Sequence, residues 1–146
     1  MSKCVILCVD DEQVVLKSLE SQLTREFGGQ YHIELAEGGV EALELLDELS
    51  EDEYTTLVII SDWLMPEMKG DEFLITAYRK FPHVLTLMLT GQADQDAVER
   101  TRSEANLYRL INKPWDATDL IDAIRAGLGN NPQCTKPKSR NGSETA

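Results

Sequence analysis

Five polar side chains lie at the ends of separate, mostly apolar runs in this sequence. They are Asp10 and Asp11 after residues 4–9, Asp62 after 57–61, Thr90 after 84–89, and Lys113 after 107–112. If the four runs are parallel strands of one sheet, these groups meet outside the carboxyl ends of the strands, where open α/β sheets build their sites. The pattern therefore predicts one shared polar site.

The side chains in this pattern suit phosphoryl transfer. Three neighbouring carboxylates repel each other and raise at least one pKa unless a cation neutralises them. Oxygen ligands of this kind favour Mg²⁺, with Mn²⁺ as a substitute, shared with a phosphate. Lys113 can pair with a carboxylate or an anion, and Thr90 offers a hydroxyl donor. No serine or cysteine lies beside a histidine at these strand ends, so a carboxylate is the natural nucleophile.

Each feature alone also has an ordinary explanation. The stretch Asp10-Asp11-Glu12 could simply cap the helix that follows it. Asp62 could be a turn residue, and Lys113 could be a surface lysine before a turn. Their joint occurrence at the ends of four runs makes coincidence the weaker explanation.

Strand and helix patterns alternate along the chain. The predicted strands are 4–9, 31–36, 57–61, 84–89 and 107–112, and the predicted helices are 13–27, 39–50, 71–81, 93–105 and 116–128. Strict alternation predicts a parallel sheet covered on both faces, with right-handed crossovers. Periodicity does not specify the order of the strands in the sheet.

Two elements differ from this regular pattern, and two helices have candidate caps. Residues 31–36 alternate apolar and polar side chains, which predicts a half-buried strand at an edge. Residues 93–105 carry few apolar side chains, so we expect a loosely held helix. Asp116 and Asp119 resemble a capping box before the last helix, and Asp71 can cap the third helix.

Composition excludes several classes of protein. The 146 residues suit one domain, and a 42% hydrophobic content can build a core. No apolar run approaches the roughly 20 residues of a membrane span, and the first run is too short for a signal peptide. The net charge is −12, and subtracting the +2 of residues 129–146 leaves −14 on residues 1–128. Such an acidic body repels phosphate backbones, so we expect no direct nucleic-acid binding and no membrane association.

The tail and the cysteines complete the prediction of organisation. Residues 129–146 are polar, which indicates a flexible tail or linker after a domain at 1–128. Cys4 and Cys8 would lie roughly 13 Å apart in one strand, too far for a mutual disulfide. Because Cys134 falls in the polar tail, we expect reduced thiols and a cytoplasmic protein.

Four motifs resemble the receiver domain of bacterial two-component response regulators. They are Val9-Asp10-Asp11-Glu12, the loop from Asp62 to Gly70 with the pattern Asp-x-x-Met-Pro-x-Met-x-Gly, Thr90-Gly91, and Lys113-Pro114-Trp115. The loop pattern is highly specific, and the four motifs are in order over residues 3–128.

The resemblance implies a fold and a role for each residue. The fold would be flavodoxin-like, (βα)5, a doubly wound parallel sheet with strand order 2-1-3-4-5. Asp62 would accept a phosphoryl group from a histidine kinase or phosphotransfer protein. The Mg²⁺ ligands would be Asp10, Asp11, Asp62 and the Leu64 backbone carbonyl. Thr90 and Lys113 would bind the phosphoryl group, Gly91 would leave room beside it, and the bond before Pro114 would be cis.

One position departs from the family pattern. Many receivers have Tyr or Phe three residues before the lysine as a rotating switch, and this chain has Leu110 there. We nevertheless expect phosphorylation to change the face formed by the fourth helix, fifth strand and fifth helix, which receivers also use to dimerise. Self-catalysed phosphoryl acceptance and slow autodephosphorylation are the expected chemistry, with no other enzyme activity.

Two other functions compete with this one. A haloacid-dehalogenase-like phosphatase also uses Mg²⁺ and an aspartyl nucleophile, but it needs a second Asp where this chain has Leu64. A phosphorylation-independent interaction module would not need the acceptor residues, and all of them are present. The sequence identifies neither the cognate kinase nor an output domain or downstream partner.

Overall fold

The protein folds as a five-stranded parallel sheet whose strands alternate with five helices. The computed structural model describes residues 3–92 and 94–129. The strands are β1 (Cys4–Val9), β2 (His32–Ala36), β3 (Thr55–Ser61), β4 (Leu85–Thr90) and β5 (Arg109–Asn112). The helices are α1 (Gln13–Phe27), α2 (Gly39–Glu51), α3 (Gly70–Lys80), α4 (Gln95–Ala105) and α5 (Ala117–Gly129).

The strand order is β2-β1-β3-β4-β5, with every pair parallel. This confirms the doubly wound, flavodoxin-like sheet and the order 2-1-3-4-5. The chain reverses its direction of winding between β1 and β3, and ligands bind at such a switch point in open α/β sheets. The order therefore places the ends of β1 and β3 at the centre of the functional edge.

Two apolar cores lie on opposite faces of the sheet. In β1, Ile6 and Cys8 pack in the core with α1 and α5, while Val5, Leu7 and Val9 pack in the core with α2 and α3. Every residue of β1 is therefore buried. Burial on both faces explains why the run is continuously apolar instead of alternating.

β2 and β5 are the edge strands of the sheet. β2 lies at one edge, as its alternation predicted, and only its last residue is buried. β5 lies at the other edge and begins at Arg109, two residues later than predicted. The Tyr108 backbone N–H still donates to the Thr86 carbonyl of β4 at 2.8 Å, and its hydroxyl donates to the Ala123 carbonyl of α5, also at 2.8 Å. β3 begins two residues earlier than predicted because Thr55 and Thr56 pair with β1.

Helix starts follow the predictions in part. The Asp119 backbone N–H donates to Asp116 Oδ1 at 3.0 Å, so Asp116 does cap α5. Asp71 does not cap α3, because the helix already begins at Gly70 and no side chain caps it. The predicted start of α4, Ala93, lies outside the described residues. Between Gln95 and Ala105 that helix buries only four residues: Ala97, Val98, Thr101 and Ala105.

The cysteine prediction is wrong for one residue. Cys8 is a free thiol buried in β1, as expected, but Cys4 is disulfide-bonded. Cys134 and the predicted tail beyond Gly129 lie outside the described residues. In the part of the chain that the structure describes, no helix is long and apolar enough to cross a membrane.

Candidate functional site

The backbone continues the sheet pairing one step beyond the strands and so aligns the polar residues. Asp62 donates its N–H to the carbonyl of Val9, the last residue of β1, at 3.0 Å. Asp10 donates likewise to Ala36 at the end of β2, at 3.2 Å. Lys113 donates to the carbonyl at the end of β4 at 3.1 Å. Strand register therefore brings these side chains to one edge.

Three carboxylates meet at this edge. Asp10, Asp11 and Asp62 each offer an oxygen, and these oxygens lie within 4.8 Å of one another. Asp10 and Asp62 are buried, whereas Asp11 is exposed. The cluster therefore has two carboxylates fixed inside the protein and one at its mouth.

Lys113 provides the positive charge nearest to the buried carboxylates. Its Nζ lies 2.8 Å from Asp10 Oδ2, 3.3 Å from Asp62 Oδ2 and 3.4 Å from Glu12 Oε1. Sequence reasoning predicted one carboxylate or an anion as its partner, and the structure has three carboxylates around it. With Asp11, the site has four carboxylates. One ammonium cannot neutralise all four, so the site retains a net negative charge.

The pKa values of Asp10 and Lys113 reflect this environment. Burial is the main cause that raises the pKa of Asp10, and the charge of Asp62 raises it further. The hydrogen bonds from Lys113 and from the Glu12 backbone oppose that rise. Burial tends to lower the pKa of Lys113, but the hydrogen bonds and charges of Asp10 and Asp62 outweigh it, so that pKa is raised. Lys113 is therefore held in its charged form.

The loop after β3 orients the Asp62 side chain. The Trp63 backbone N–H donates to Asp62 Oδ1 at 2.7 Å. The loop closes where the Gly70 N–H donates to the Trp63 carbonyl, also at 2.7 Å. A Cβ on residue 70 would lie 2.0 Å from the Asp62 carbonyl oxygen, so only glycine allows this approach. Within the loop, Glu67 has a positive φ of 71°.

A cavity of about 340 Å³ opens onto Asp62. It is lined by Asp11, Glu12, Asp62, Leu64, Thr90, Gly91, Gln92 and Lys113. The Leu64 side chain is 47% exposed at this cavity. The buried Thr90 hydroxyl accepts a long hydrogen bond of 3.4 Å from the Gln92 N–H. A Cβ on Gly91 would meet only the Lys113 Cβ, at an ordinary 3.9 Å.

Sequence reasoning missed two residues of this cavity. Glu12 was interpreted as part of a helix cap, yet it also pairs with Lys113 and lines the cavity. Gln92 was not singled out, although it follows the Thr90-Gly91 pair directly. Its position next to a strand end was the available signal.

The Lys113–Pro114 peptide bond is cis.

The three aspartates fit a hard divalent cation by the chemistry of their donors. Carboxylate oxygens with room for water are the ligands that Mg²⁺ prefers. The oxygens lie within 4.8 Å of one another, close enough for the group to hold a metal ion. An acidic site with an open mouth also leaves space for an anion that shares the ion.

Comparison with known proteins agrees with this arrangement. A family model described as the response regulator receiver domain matches residues 6–125. The chain belongs to that family. It is a CheY-like receiver domain of the kind used in two-component signalling. Receiver domains typically bind Mg²⁺ through an acidic pocket, and this receiver has the corresponding cluster of aspartates.

Curated relatives differ in how much of their length this receiver spans. Chemotaxis protein CheY1 of Helicobacter pylori is 31% identical over 128 residues, covering 86% of this chain and 98% of CheY1. The hydrogenase transcriptional regulatory protein HoxA of Cupriavidus necator is 29% identical over 133 residues. That match covers 86% of this chain but only 24% of HoxA.

Solved structures show the same fold. The receiver domain of an HD domain-containing protein from Pseudomonas fluorescens Pf-5 superimposes with a TM-score of 0.76 at 28% identity. The match covers 88% of this chain and 89% of that one. A CheY-like receiver from Methanospirillum hungatei gives a TM-score of 0.75, also at 28% identity.

Proposed function

We propose that Asp62 is the phosphoacceptor of this receiver and takes a phosphoryl group from a phosphohistidine of a kinase or phosphotransfer protein. The observation that carries the proposal is the convergence of Asp10, Asp11, Asp62 and Lys113, of which all but the buried Asp10 line one cavity. In the reaction an Asp62 carboxylate oxygen attacks phosphorus, the P–N bond to histidine breaks, and an acyl phosphate forms.

The acidic cluster would hold Mg²⁺ through Asp10, Asp11, Asp62 and the Leu64 backbone carbonyl. When bound, the ion supplies charge neutralisation for the transferring phosphoryl oxygens. The protein itself orients the acceptor, because the Trp63 N–H and Lys113 Nζ contact its two carboxylate oxygens.

Lys113 would change partner on phosphorylation. A phosphoryl group adds roughly 1.5 to 2 negative charges, more than any carboxylate that Lys113 now contacts. The ammonium would therefore move from Asp10 towards the phosphoryl oxygens. The Thr90 hydroxyl, which now accepts a long bond from the Gln92 N–H, would turn towards the same group, and Gly91 would leave space for it.

This movement would alter the face formed by α4, β5 and α5. Leu110 packs in the same core as Ala105 of α4 but has no hydroxyl, so it cannot donate a hydrogen bond. Leu110 would therefore take part in the change only through its packing contacts. Amide hydrogen exchange with and without beryllofluoride tests this step, and unchanged protection across 91–112 would count against it.

The remaining assignments follow from the family. Residues 1–128 would form the receiver and residues 129–146 a linker or tail. The protein would act in the cytoplasm on an output domain or a downstream partner, and its α4–β5–α5 face would serve for dimerisation. Its chemistry would be limited to phosphoryl acceptance and slow self-hydrolysis.

The deciding experiment measures phosphoryl transfer to Asp62. The protein is incubated with acetyl phosphate and Mg²⁺, and intact mass spectrometry should show one added phosphoryl group. Asp62→Ala should abolish the addition, whereas Asp122→Ala, which removes an exposed carboxylate on α5, should not. Omitting Mg²⁺ should also abolish it.

The alternatives predict other outcomes. Addition that survives Asp62→Ala, or none in the wild type, would favour the phosphorylation-independent module. Sustained turnover of small phosphate esters would favour a phosphatase, although Leu64 supplies no general acid beside Asp62.

A further inference from the structure

Asp71 is a buried carboxylate outside the acceptor site. It lies in the first turn of α3 and is only 8% exposed. Buried carboxylates are rare unless they are paired, because removing a charge from water is costly. The Asp71 carboxylate lies 3.5 Å from Arg100 Nη2, on α4. This ion pair therefore joins two helices that follow different strands.

The Asp71 backbone is also tied to the acceptor. Its neighbour Gly70 binds the Trp63 carbonyl and lies against the Asp62 carbonyl. The contact is so close that a single added carbon would clash with it. A displacement of Asp62 or Trp63 must therefore displace the start of α3 as well.

Among the described residues, the amino-terminal half of α4 is held by the burial of Ala97 and Val98. Its N-cap, Asp94, makes no side-chain capping hydrogen bond. A cavity of about 480 Å³, lined in part by Trp63, Asp71 and Arg100, separates this end from α3. The other end of α4 is anchored, since the buried Thr86 hydroxyl donates to the Ala105 carbonyl at 3.1 Å. Movement of α4 would therefore be greatest at its amino-terminal end.

We propose that the Asp71–Arg100 ion pair couples the position of α4 to the acceptor loop. The coupling runs from Asp62 through Gly70 to Asp71 and across the ion pair to α4. It acts in addition to the Thr90 loop, and it needs no aromatic side chain at Leu110. The inference rests on the proposed function, because it assigns a route to the response of that same site.

Hydrogen exchange of α4 tests the coupling. Amides of residues 95–105 are followed by mass spectrometry, with and without acetyl phosphate and Mg²⁺, in the wild type and in Arg100→Gln. We expect Arg100→Gln to speed basal exchange of α4 about fivefold, because the ion pair that links α4 to α3 is lost. It should also remove at least half of the change that phosphorylation causes in the wild type.

Arg79→Gln is the matched control. Arg79 pairs with Glu104 at 3.0 Å across the same two helices. Both arginines are exposed, at 69% for Arg79 and 49% for Arg100, but Glu104 is exposed whereas Asp71 is buried. Exposed pairs contribute little, so this variant should stay within about twofold of the wild type in both measurements. The double variant Asp71→Asn/Arg100→Gln should change the phosphorylation response no more than Arg100→Gln alone, because each substitution breaks the same link.

The outcomes separate this inference from the proposed function. Intact mass on the same samples shows whether Asp62 was phosphorylated. A wild type that takes no phosphoryl group would refute the proposed function and the inference together. Equal phosphorylation with equal α4 responses in the wild type and Arg100→Gln would refute the inference alone, as would equal losses in Arg79→Gln and Arg100→Gln.

Discussion

Gly70→Ala should destabilise the protein more than an ordinary glycine substitution. The added Cβ would lie 2.0 Å from the Asp62 carbonyl oxygen, and 2.8 Å from both the Asp62 carbonyl carbon and the Trp63 Cα. Nonbonded carbons prefer about 3.5 to 4.0 Å. All three contacted atoms are backbone, so no side chain can rotate away, and the loop must shift by about 1 Å or more.

The magnitude follows from overpacking and one strained hydrogen bond. Overpacking costs about 1 to 3 kcal/mol and occasionally more. Weakening the bond from the Gly70 N–H to the Trp63 carbonyl adds about 1 kcal/mol. Alanine regains up to about 1 kcal/mol of helix propensity at the start of α3. The expected net loss in the free energy of unfolding is about 3 kcal/mol.

Urea unfolding followed by circular dichroism measures this loss. Gly29→Ala is the control, because a Cβ there meets nothing within 4 Å, and it should change stability by less than about 1 kcal/mol. Gly70→Ala should also slow phosphorylation by acetyl phosphate, since the Asp62 backbone must move. A loss below 1 kcal/mol with an unchanged denaturant slope would show that the contact relaxes easily, and the reasoning would be wrong.

Three further predictions concern the site and the core. Lys113→Gln leaves Asp10 and Asp62 without their ion pair and should lower the free energy of unfolding by about 3 kcal/mol. Thermal unfolding should show that Mg²⁺ recovers part of this loss, and a variant as stable as the wild type would contradict the prediction. Because the folded pKa of Lys113 is raised, its contribution in the wild type persists below 10.5, the ordinary lysine value, and disappears as the pH rises through the folded pKa. Asp11→Asn removes an exposed carboxylate of the cluster and should weaken Mg²⁺ binding at least about tenfold by calorimetry, with little change in stability; unchanged affinity would exclude Asp11 as a ligand. Burial raises the pKa of the Cys8 thiol, so native Cys8 should resist iodoacetamide from pH 7 to 9, as located by tandem mass spectrometry; labelling faster than global unfolding would contradict it.

Local patterns predicted most of the fold. A central parallel strand is buried on both faces, which favours a continuously apolar run, and β1 and residues 57–60 of β3 show this directly. An edge strand is half exposed, which explains the alternation in β2. Boundaries were less predictable. β5 begins two residues later than its run, although the Tyr108 backbone N–H still donates to the Thr86 carbonyl of β4. The Tyr108 hydroxyl bonds to the Ala123 carbonyl of α5, a partner 15 residues away in the chain.

The ends of the strands predicted the site for a similar reason. In a parallel sheet all carboxyl ends share one edge, so a polar residue directly after each strand must lie near the others. The strand-end pattern did not predict the role of Glu12, because that role depends on a contact with Lys113, which is 101 positions away along the chain. The ion pair of Asp71 was not predicted either, because no local pattern distinguishes a helix cap from a buried carboxylate that pairs with Arg100.

The sequence by itself determined the alternating α/β class and the polar site at the carboxyl-terminal edge of the sheet. Through its motifs it also determined the family. These depend on short-range periodicity and on residue types at strand ends. Tertiary structure decided which carboxylates surround Lys113, how closely Gly70 approaches Asp62, and which helix Asp71 holds. Those contacts join residues far apart in the chain, and their distances depend on strand register and helix packing, which no local pattern records.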